Sequence, residues 1–134
     1  MKKLVSGLIV IALFSLQSAA FADSDWRKYS VTEEGEYYLD VNSIRKTGGL
    51  LRAWSMQDFK KTQVWDSTRY KSILELKQFD CENERSRTIQ FTVFSQNLRG
   101  GIALFTSNEE EEFEYVTPDS RGAHLLKSVC NFHR

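Results

Sequence analysis

Two cysteines and two histidines are the residues of this sequence best suited to chemistry. Cys81 and Cys130 are open to four roles, as reactive thiols, metal ligands, the halves of a bridge or inert buried residues. His124 and His133 are open to acid–base work. A zinc site is disfavoured, because the chain has neither a C-x-x-C nor an H-x-x-x-H pattern. It also lacks a G-x-S-x-G nucleophile motif and a glycine loop that would cradle a phosphate. The sequence therefore predicts no catalytic residue, no bound metal and no cofactor.

The N-terminal segment decides how the cysteines are interpreted. Two lysines precede an apolar stretch over residues 4–16, and small residues lead up to Ala22. This layout is typical of a secretory signal peptide over residues 1–22, cleaved between Ala22 and Asp23. No cysteine follows that point to carry a lipid anchor, and no later segment is apolar for long enough to span a bilayer. We expect one mature domain over residues 23–134, located in the periplasm or outside the cell.

Export changes the interpretation of the two thiols. In an oxidising compartment an even number of cysteines usually pairs, so the sequence predicts a disulfide between Cys81 and Cys130. Closing a loop of that length is worth roughly 4 kcal/mol in the chain-entropy model. His133 is the penultimate residue, where chain termini are usually frayed. His124 lies beside a predicted helix face and is interpreted as a surface or structural residue rather than a catalytic one.

The charge balance limits the classes of partner. Removal of residues 1–22 takes away two lysines and leaves 16 basic against 18 acidic side chains, a net charge of −2. That charge balance is not typical of a protein that binds nucleic acid. The most acidic stretch, NEEEEFE over residues 108–114, lacks the D-x-D-x-D-G spacing of a calcium loop. We interpret it as a solvated loop or charged strand edge, and cation binding by Glu109 to Glu112 stays open.

Alternating hydrophobicity and turn signals predict an α+β fold, with an antiparallel sheet of about six strands and a packed C-terminal helix. A Gly-Gly hairpin signal occurs at residues 48–49, and the polar stretch over residues 60–69 is predicted to be a long loop. Thr117 is the expected helix N-cap and Ser120 the alternative, and residues 125, 126, 129 and 130 form its apolar face. The strands are expected at residues 25–31, 37–44, 50–59, 70–81, 86–96 and 100–107.

Three residues are candidates for contact with a protein partner. Trp65 lies in the predicted polar loop, where an exposed aromatic ring is a natural anchor. Arg85 and Arg87 belong to a stretch of alternating charge, which is either a solvent-exposed hairpin or a contact for an acidic partner. Trp54, within an apolar strand, is expected in the core.

Several stretches, taken in order, resemble the surface-adhesin protein E family of Gram-negative bacteria. They cover nearly the whole mature chain: Trp26, GEYYLDVNSIRKTGG at 35–49, RAWSMQDF at 52–59, YKSILELKQFDCENERSR at 70–87 and VTPDSRGAHLLKSVC at 116–130. The resemblance implies an antiparallel sheet with a packed terminal helix and a bridge between the two cysteines. It also implies a non-enzymatic envelope or surface protein, in a family whose namesake class adheres to host proteins such as vitronectin and laminin. The namesake uses a lipid anchor for display, whereas no acylatable cysteine is predicted here.

These observations predict an exported, non-enzymatic envelope protein that binds a protein partner. The alternatives are a true surface adhesin for host matrix proteins and a periplasmic enzyme that would need a cleft around His124. Open sheet edges also suggest that two copies pair as a homodimer.

Overall fold

A computed structural model describes residues 23–132, and the predicted signal peptide and its cleavage site before Asp23 lie almost wholly outside that range. Within these residues, eight strands are followed by one α-helix, and two short 3-10 turns lie between strands. The strands are β1 (Trp26–Val31), β2 (Gly35–Asp40), β3 (Arg45–Thr47), β4 (Leu50–Trp65), β5 (Thr68–Asp80), β6 (Arg85–Phe94), β7 (Ala103–Ser107) and β8 (Glu114–Tyr115). The helix, α1, spans Arg121–Phe132.

The strands form one antiparallel sheet in the order β1-β2-β4-β5-β6-β7. These six match the six predicted strands, and β3 and β8 are two short additions that pair with β4 and β6. The predicted antiparallel sheet with a C-terminal helix is confirmed, but the count of six strands was too low. The two additions have only three and two residues, too few for an alternating pattern to show.

Helix α1 packs on one face of this sheet and forms the core with it. Its buried residues are Leu125, Leu126 and Val129, the predicted apolar face. They belong to one cluster whose sheet members are Leu39, Leu51, Ala53 and Phe79, with Val41 and Ile44 from the turn after β2. The predicted bridge joins Cys81, just after β5, to Cys130 in α1, with Cα atoms 5.9 Å apart.

The start of α1 corrects the expected cap. Thr117 was predicted as the N-cap, but the helix begins at Arg121 and Ser120, the alternative, caps it. The Ser120 hydroxyl accepts a hydrogen bond from the Ala123 amide at 3.1 Å and donates one to the Thr117 carbonyl at 2.6 Å. A positive φ of 60° at Asp119 turns the chain between Thr117 and the cap, which prevents a helix from starting earlier.

The predicted loop over residues 60–69 is wrong. Strand β4 continues to Trp65, and β5 begins at Thr68, so the two form one long hairpin. Asp66 and Ser67 make the two-residue turn, both with positive φ (45° and 67°), as the tight hairpin turn requires. The polar composition suggested a loop, but backbone pairing of Val64 with Arg69 carries the strand without a buried face.

Candidate functional site

Helix α1 covers only part of its face of the sheet, and the uncovered part carries a groove lined by aromatic rings. The groove has a volume of about 280 Å³. We call it the aromatic groove and define it by side chains of β4, β5, β6 and β7: Trp65, Tyr70, Ile73, Phe91, Val93 and Phe105. Its members therefore come from four strands, and both strand register and the position of the β4–β5 hairpin tip bring them together.

Strand register explains why the floor of the groove is apolar. Val93 pairs with Ile73 on one side and with Phe105 on the other, so these three side chains point to the same face. Phe91 lies two residues before Val93 and shares that face. The ring centroids of Phe91 and Phe105 are 5.8 Å apart, so the two aromatic rings make one continuous surface.

The tip of the β4–β5 hairpin supplies the wall of the groove. Trp65, the last residue of β4, packs edge to face on Phe105 with a centroid distance of 5.8 Å. Two strands, β5 and β6, separate β4 from β7 in the sheet order, so the hairpin tip must bend over the sheet for this contact. Both rings stay accessible, with 53% of Trp65 and 45% of Phe105 exposed. Exposed aromatic rings in contact are typical of a docking surface.

A strip of polar side chains separates the aromatic groove from the core under α1. The Gln57 amide donates to the Glu75 carboxylate at 2.6 Å, and the Lys77 ammonium donates to the Thr88 hydroxyl at 2.9 Å. Lys77 also lies 3.9 Å from Glu75. Burial, and then the negative charge of Glu75, raises the pKa of the nearby Tyr29, which keeps its phenol neutral. The strip fixes the boundary of the groove, because a buried polar group needs its partners in place.

The acidic segment borders the aromatic groove on its other side. Its residues Glu109 to Glu112 are all exposed, and Glu111 lines the groove while its amide donates to the Thr88 carbonyl. Within residues 23–132 no three His, Cys, Asp or Glu side chains are grouped as metal ligands would be. The groove therefore combines an apolar floor with a negatively charged rim.

Arg85 and Arg87 lie away from Trp65 and are engaged within the chain. Arg85 donates to Asp80 at 2.8 Å, while Arg87 donates to the Gln78 side chain and lies 3.4 Å from Glu110. Both guanidinium groups also lie over the ring of Phe113, at 5.3 and 4.5 Å from its centroid. The structure thus does not bring the three predicted contact residues together, and it uses the two arginines to hold the acidic segment against the sheet.

Sequence reasoning pointed to Trp65 but missed its neighbours. Phe91 and Val93 alternate with Gln90 and Thr92 in the strand predicted over residues 86–96, and Phe105 lies in the strand predicted over residues 100–107. The alternation of Phe91 and Val93 was a correct signal for a shared face, but nothing in the sequence showed that α1 would stop short of it. Trp54, expected in the core, is half-buried on the opposite face of the sheet, because its neighbour Ala53 faces α1.

The fold and the site define a class of protein: a small disulfide-linked sheet-and-helix domain that presents an accessible aromatic groove. Residues 26–131 match the family model described as Surface-adhesin protein E. The chain belongs to that family and is a surface-adhesin-like envelope protein. No helix within residues 23–132 has the length and apolar character needed to cross a membrane.

Solved structures of Haemophilus influenzae protein E share the fold. One structure is 15% identical, covers 81% of this chain and 89% of its own, and superposes with a TM-score of 0.61. Its crystal form II is 16% identical, covers 73% and 83%, and gives a TM-score of 0.60. Protein E from a non-typeable strain of the species is 15% identical, covers 85% and 79%, and gives 0.51. At these identities the likeness concerns the fold. No curated protein matches the sequence.

Proposed function

We propose that this chain is an exported, non-enzymatic envelope protein that binds a protein partner through the aromatic groove. In this proposal residues 1–22 are a signal peptide cleaved between Ala22 and Asp23, and the mature domain over residues 23–134 acts in the periplasm or outside the cell. The observation that carries the proposal is the contact between the exposed rings of Trp65 and Phe105 above an apolar floor. Rings held in such a position lose little conformational entropy when a partner covers them.

The groove also suggests the chemistry of the partner segment. Glu111 and Glu75 line its rim and end wall, and the exposed acidic segment continues from it. A segment with apolar side chains for the floor and a neighbouring lysine or arginine would complement both features. This pattern argues against an acidic partner at the groove.

The environment of His124 supports a binding role over an enzymatic one. His124 is exposed on α1, directly before the buried Leu125 and Leu126. A catalytic histidine needs a neighbouring acid or nucleophile in a cleft. The alternative of a periplasmic enzyme therefore has little support in the described residues.

Crosslinking in the native cell tests the groove. A photo-crosslinking residue in place of Leu104, beside Phe105 on β7, should capture one main partner, identified by mass spectrometry. The double variant Trp65→Ser and Phe105→Ser should abolish the crosslink, because it removes the apolar anchors. Val64→Ser is the matched control, since Val64 is even more exposed but lies outside the groove. Equal crosslinking by the double variant and the control would contradict the proposal.

The second candidate function is adhesion to host matrix proteins, which membership of the Surface-adhesin protein E family favours. Surface plasmon resonance of the mature chain over immobilised vitronectin and laminin tests it. Saturable binding that the Trp65→Ser and Phe105→Ser variant loses and Val64→Ser keeps would establish adhesion through the groove. Absence of binding to both proteins, together with a crosslinked bacterial partner, would leave the periplasmic role.

Homodimer formation is a further proposal, and the two sheet edges differ in how well they suit it. At one edge β1 carries a register shift near Tyr29 and a lysine, Lys28, in an ion pair with Glu36, features that discourage strand pairing. At the other edge β7 has no charged residue, and its five residues are mostly exposed. We expect pairing of two copies through β7, and a monomeric mass by sedimentation at high micromolar concentration would reject it.

A further inference from the structure

The sheet face opposite α1 carries a row of three arginines and one glutamine that the proposed function does not use. Arg45 on β3 pairs with Arg52 on β4, Arg52 pairs with Gln78 on β5, and Gln78 pairs with Arg87 on β6. Residues directly opposite each other in an antiparallel sheet point to the same face. The four side chains therefore form a straight row across four strands, about 4.8 Å from one strand to the next. We call it the arginine row.

Two members of the arginine row have no acidic partner within residues 23–132. The Arg45 guanidinium donates only to backbone carbonyls, those of Asn42 and Ile44, each at 2.8 Å. Arg52 is exposed and forms no ion pair in the described part of the chain, whereas Arg87 is near Glu110. Like charges on directly opposite positions of a sheet repel each other. The pairing of Arg45 with Arg52 thus carries a cost that a bound anion would remove.

A pocket lies beside this pair and adds an aromatic surface. It has a volume of about 380 Å³, and its lining includes Arg45, Arg52, Trp54, Leu76 and Ser43. Trp54 is only half-buried, so part of its ring is accessible on the same face as Arg52. An anionic group held by the guanidinium groups would bring the body of its ligand against this ring.

The carboxylate of Asp40 also lines the pocket, and its hydrogen bonds determine how much of its negative charge acts there. Asp40 is buried, and its Oδ1 atom accepts from the backbone amides of Asp25 and Asn42, at 2.8 and 3.1 Å. These amides offset part of its negative charge. The exposed charge of the pocket is therefore that of the two arginines.

We propose that the arginine row and Trp54 bind a sulfated polysaccharide. Planar guanidinium groups donate two parallel hydrogen bonds to sulfate or carboxylate groups, and the neighbouring Arg45 and Arg52 suit two successive anionic groups of a linear chain. The apolar face of a sugar ring packs on an indole ring, which favours a glycan over a simple anion. The net charge of −2 for residues 23–134 opposes non-specific attraction of polyanions, so binding depends on this local row.

Calorimetric titration of the mature protein with a heparin hexasaccharide tests this inference. Arg45→Gln and Arg52→Gln should each weaken binding about tenfold, because a charge-assisted hydrogen bond is worth on the order of 1.5 kcal/mol. Each variant should also reduce the dependence of affinity on salt. Lys46→Gln is the matched control: Lys46 pairs with Leu51, so it lies on the helix side of the sheet, and its loss should leave the affinity unchanged.

Three further measurements make the outcome of the experiment decisive. A fully desulfated hexasaccharide should not bind, and Trp54→Leu should weaken binding of the sulfated one while circular dichroism shows an intact fold. Phosphatidylglycerol vesicles should bind poorly, and equal binding to them would replace the glycan by an anionic lipid surface. The inference is overturned if Arg45→Gln and Arg52→Gln bind as the unchanged protein does, or if Lys46→Gln loses as much affinity. The double variant Trp65→Ser and Phe105→Ser should keep glycan binding, which separates this site from the aromatic groove.

Discussion

The carboxylate of Asp80 stabilises the turn that joins β5 to β6. Asp80 ends β5 immediately before Cys81, and its Oδ1 and Oδ2 atoms accept hydrogen bonds from the backbone and side chain of Asn83. The Arg85 guanidinium donates to Oδ2 at 2.8 Å. Because these donors favour the charged form, first Arg85 and then Asn83 lower the pKa of Asp80 from 3.8 to about 2. The turn between β5 and β6 is therefore held by a carboxylate that stays ionised in mild acid.

The lowered pKa of Asp80 predicts how the stability of the protein depends on pH. Since the pKa of Asp80 is lower in the folded state than its ordinary value of 3.8, its stabilising effect is complete above about pH 4 and is lost as the pH falls towards 2. Asp80→Asn should therefore lower the free energy of unfolding at pH 7, and the difference from the unchanged protein should shrink between pH 4 and pH 2. Urea unfolding at pH 7, 5, 3 and 2 measures that difference.

A matched control is the exposed ion pair of Arg27 with Asp25, which has a similar distance of 2.9 Å. Asp25→Asn should change stability little at any pH, because exposed pairs contribute at most about 1 kcal/mol. A constant gap between Asp80→Asn and the unchanged protein from pH 7 to pH 2 would show that the carboxylate acts only through its shape.

At the level of elements, the sequence predicted what depends on local pattern. Alternation located the six strands of the main sheet, and the apolar spacing of Leu125, Leu126 and Val129 located the buried face of α1. The hairpin tip at Trp65 was not predictable in this way, because Lys60, Lys61 and their neighbours are polar. The Lys60 amide donates to the Glu34 carbonyl, and pairing with β5 resumes only at Gln63. The aromatic groove needed the tertiary structure as well, since strand register and the bend of the β4–β5 hairpin tip together decide which rings meet.

The turn at the hairpin tip yields the second prediction. Ser67 has a φ of 67°, a conformation that costs an L residue about 1 kcal/mol and costs glycine nothing. Ser67→Gly should raise the free energy of unfolding by about 0.5 kcal/mol, after the greater flexibility of glycine in the unfolded chain is allowed for. Chemical denaturation measures it. Ser67→Ala keeps the unfavourable conformation and should give no gain, so equal stabilisation by both variants would exclude relief of this strain as the cause.

The bridge between sheet and helix yields the third prediction. Cys81 and Cys130 are 49 residues apart. Cross-linking a loop of that length lowers the entropy of the unfolded chain, which raises the free energy of unfolding by about 4 kcal/mol. The double variant Cys81→Ala and Cys130→Ala should lose close to that amount in guanidinium unfolding. Leu125, Leu126 and Val129 remain to hold α1 on the sheet, so near-native circular dichroism is expected in buffer. A loss below about 1 kcal/mol would mean that the native bridge is strained enough to cancel its benefit.

At the scale of the whole molecule, the two faces of the sheet present different side chains. One face is shared between α1 and the aromatic groove, while the other carries the arginine row. Trp65 and Arg52 are thus on surfaces that a partner protein and a glycan could occupy together. Such a division suits an envelope protein, because contact with a polysaccharide would leave the groove free for its partner.

The fourth prediction concerns the compartment of the chain, because that compartment decides which partners the chain can meet. If residues 1–22 are removed on export, the native protein should begin at Asp23, and its intact mass should be two hydrogens below that of the reduced chain owing to the Cys81–Cys130 bridge. Cell fractionation with non-reducing mass spectrometry measures both. Recovery in the periplasm would favour a bacterial partner for the aromatic groove. Recovery in the medium, or digestion by protease added to whole cells, would favour host matrix proteins instead. A mass that still contains residues 1–22, or free thiols in either fraction, would contradict the export on which the disulfide was predicted.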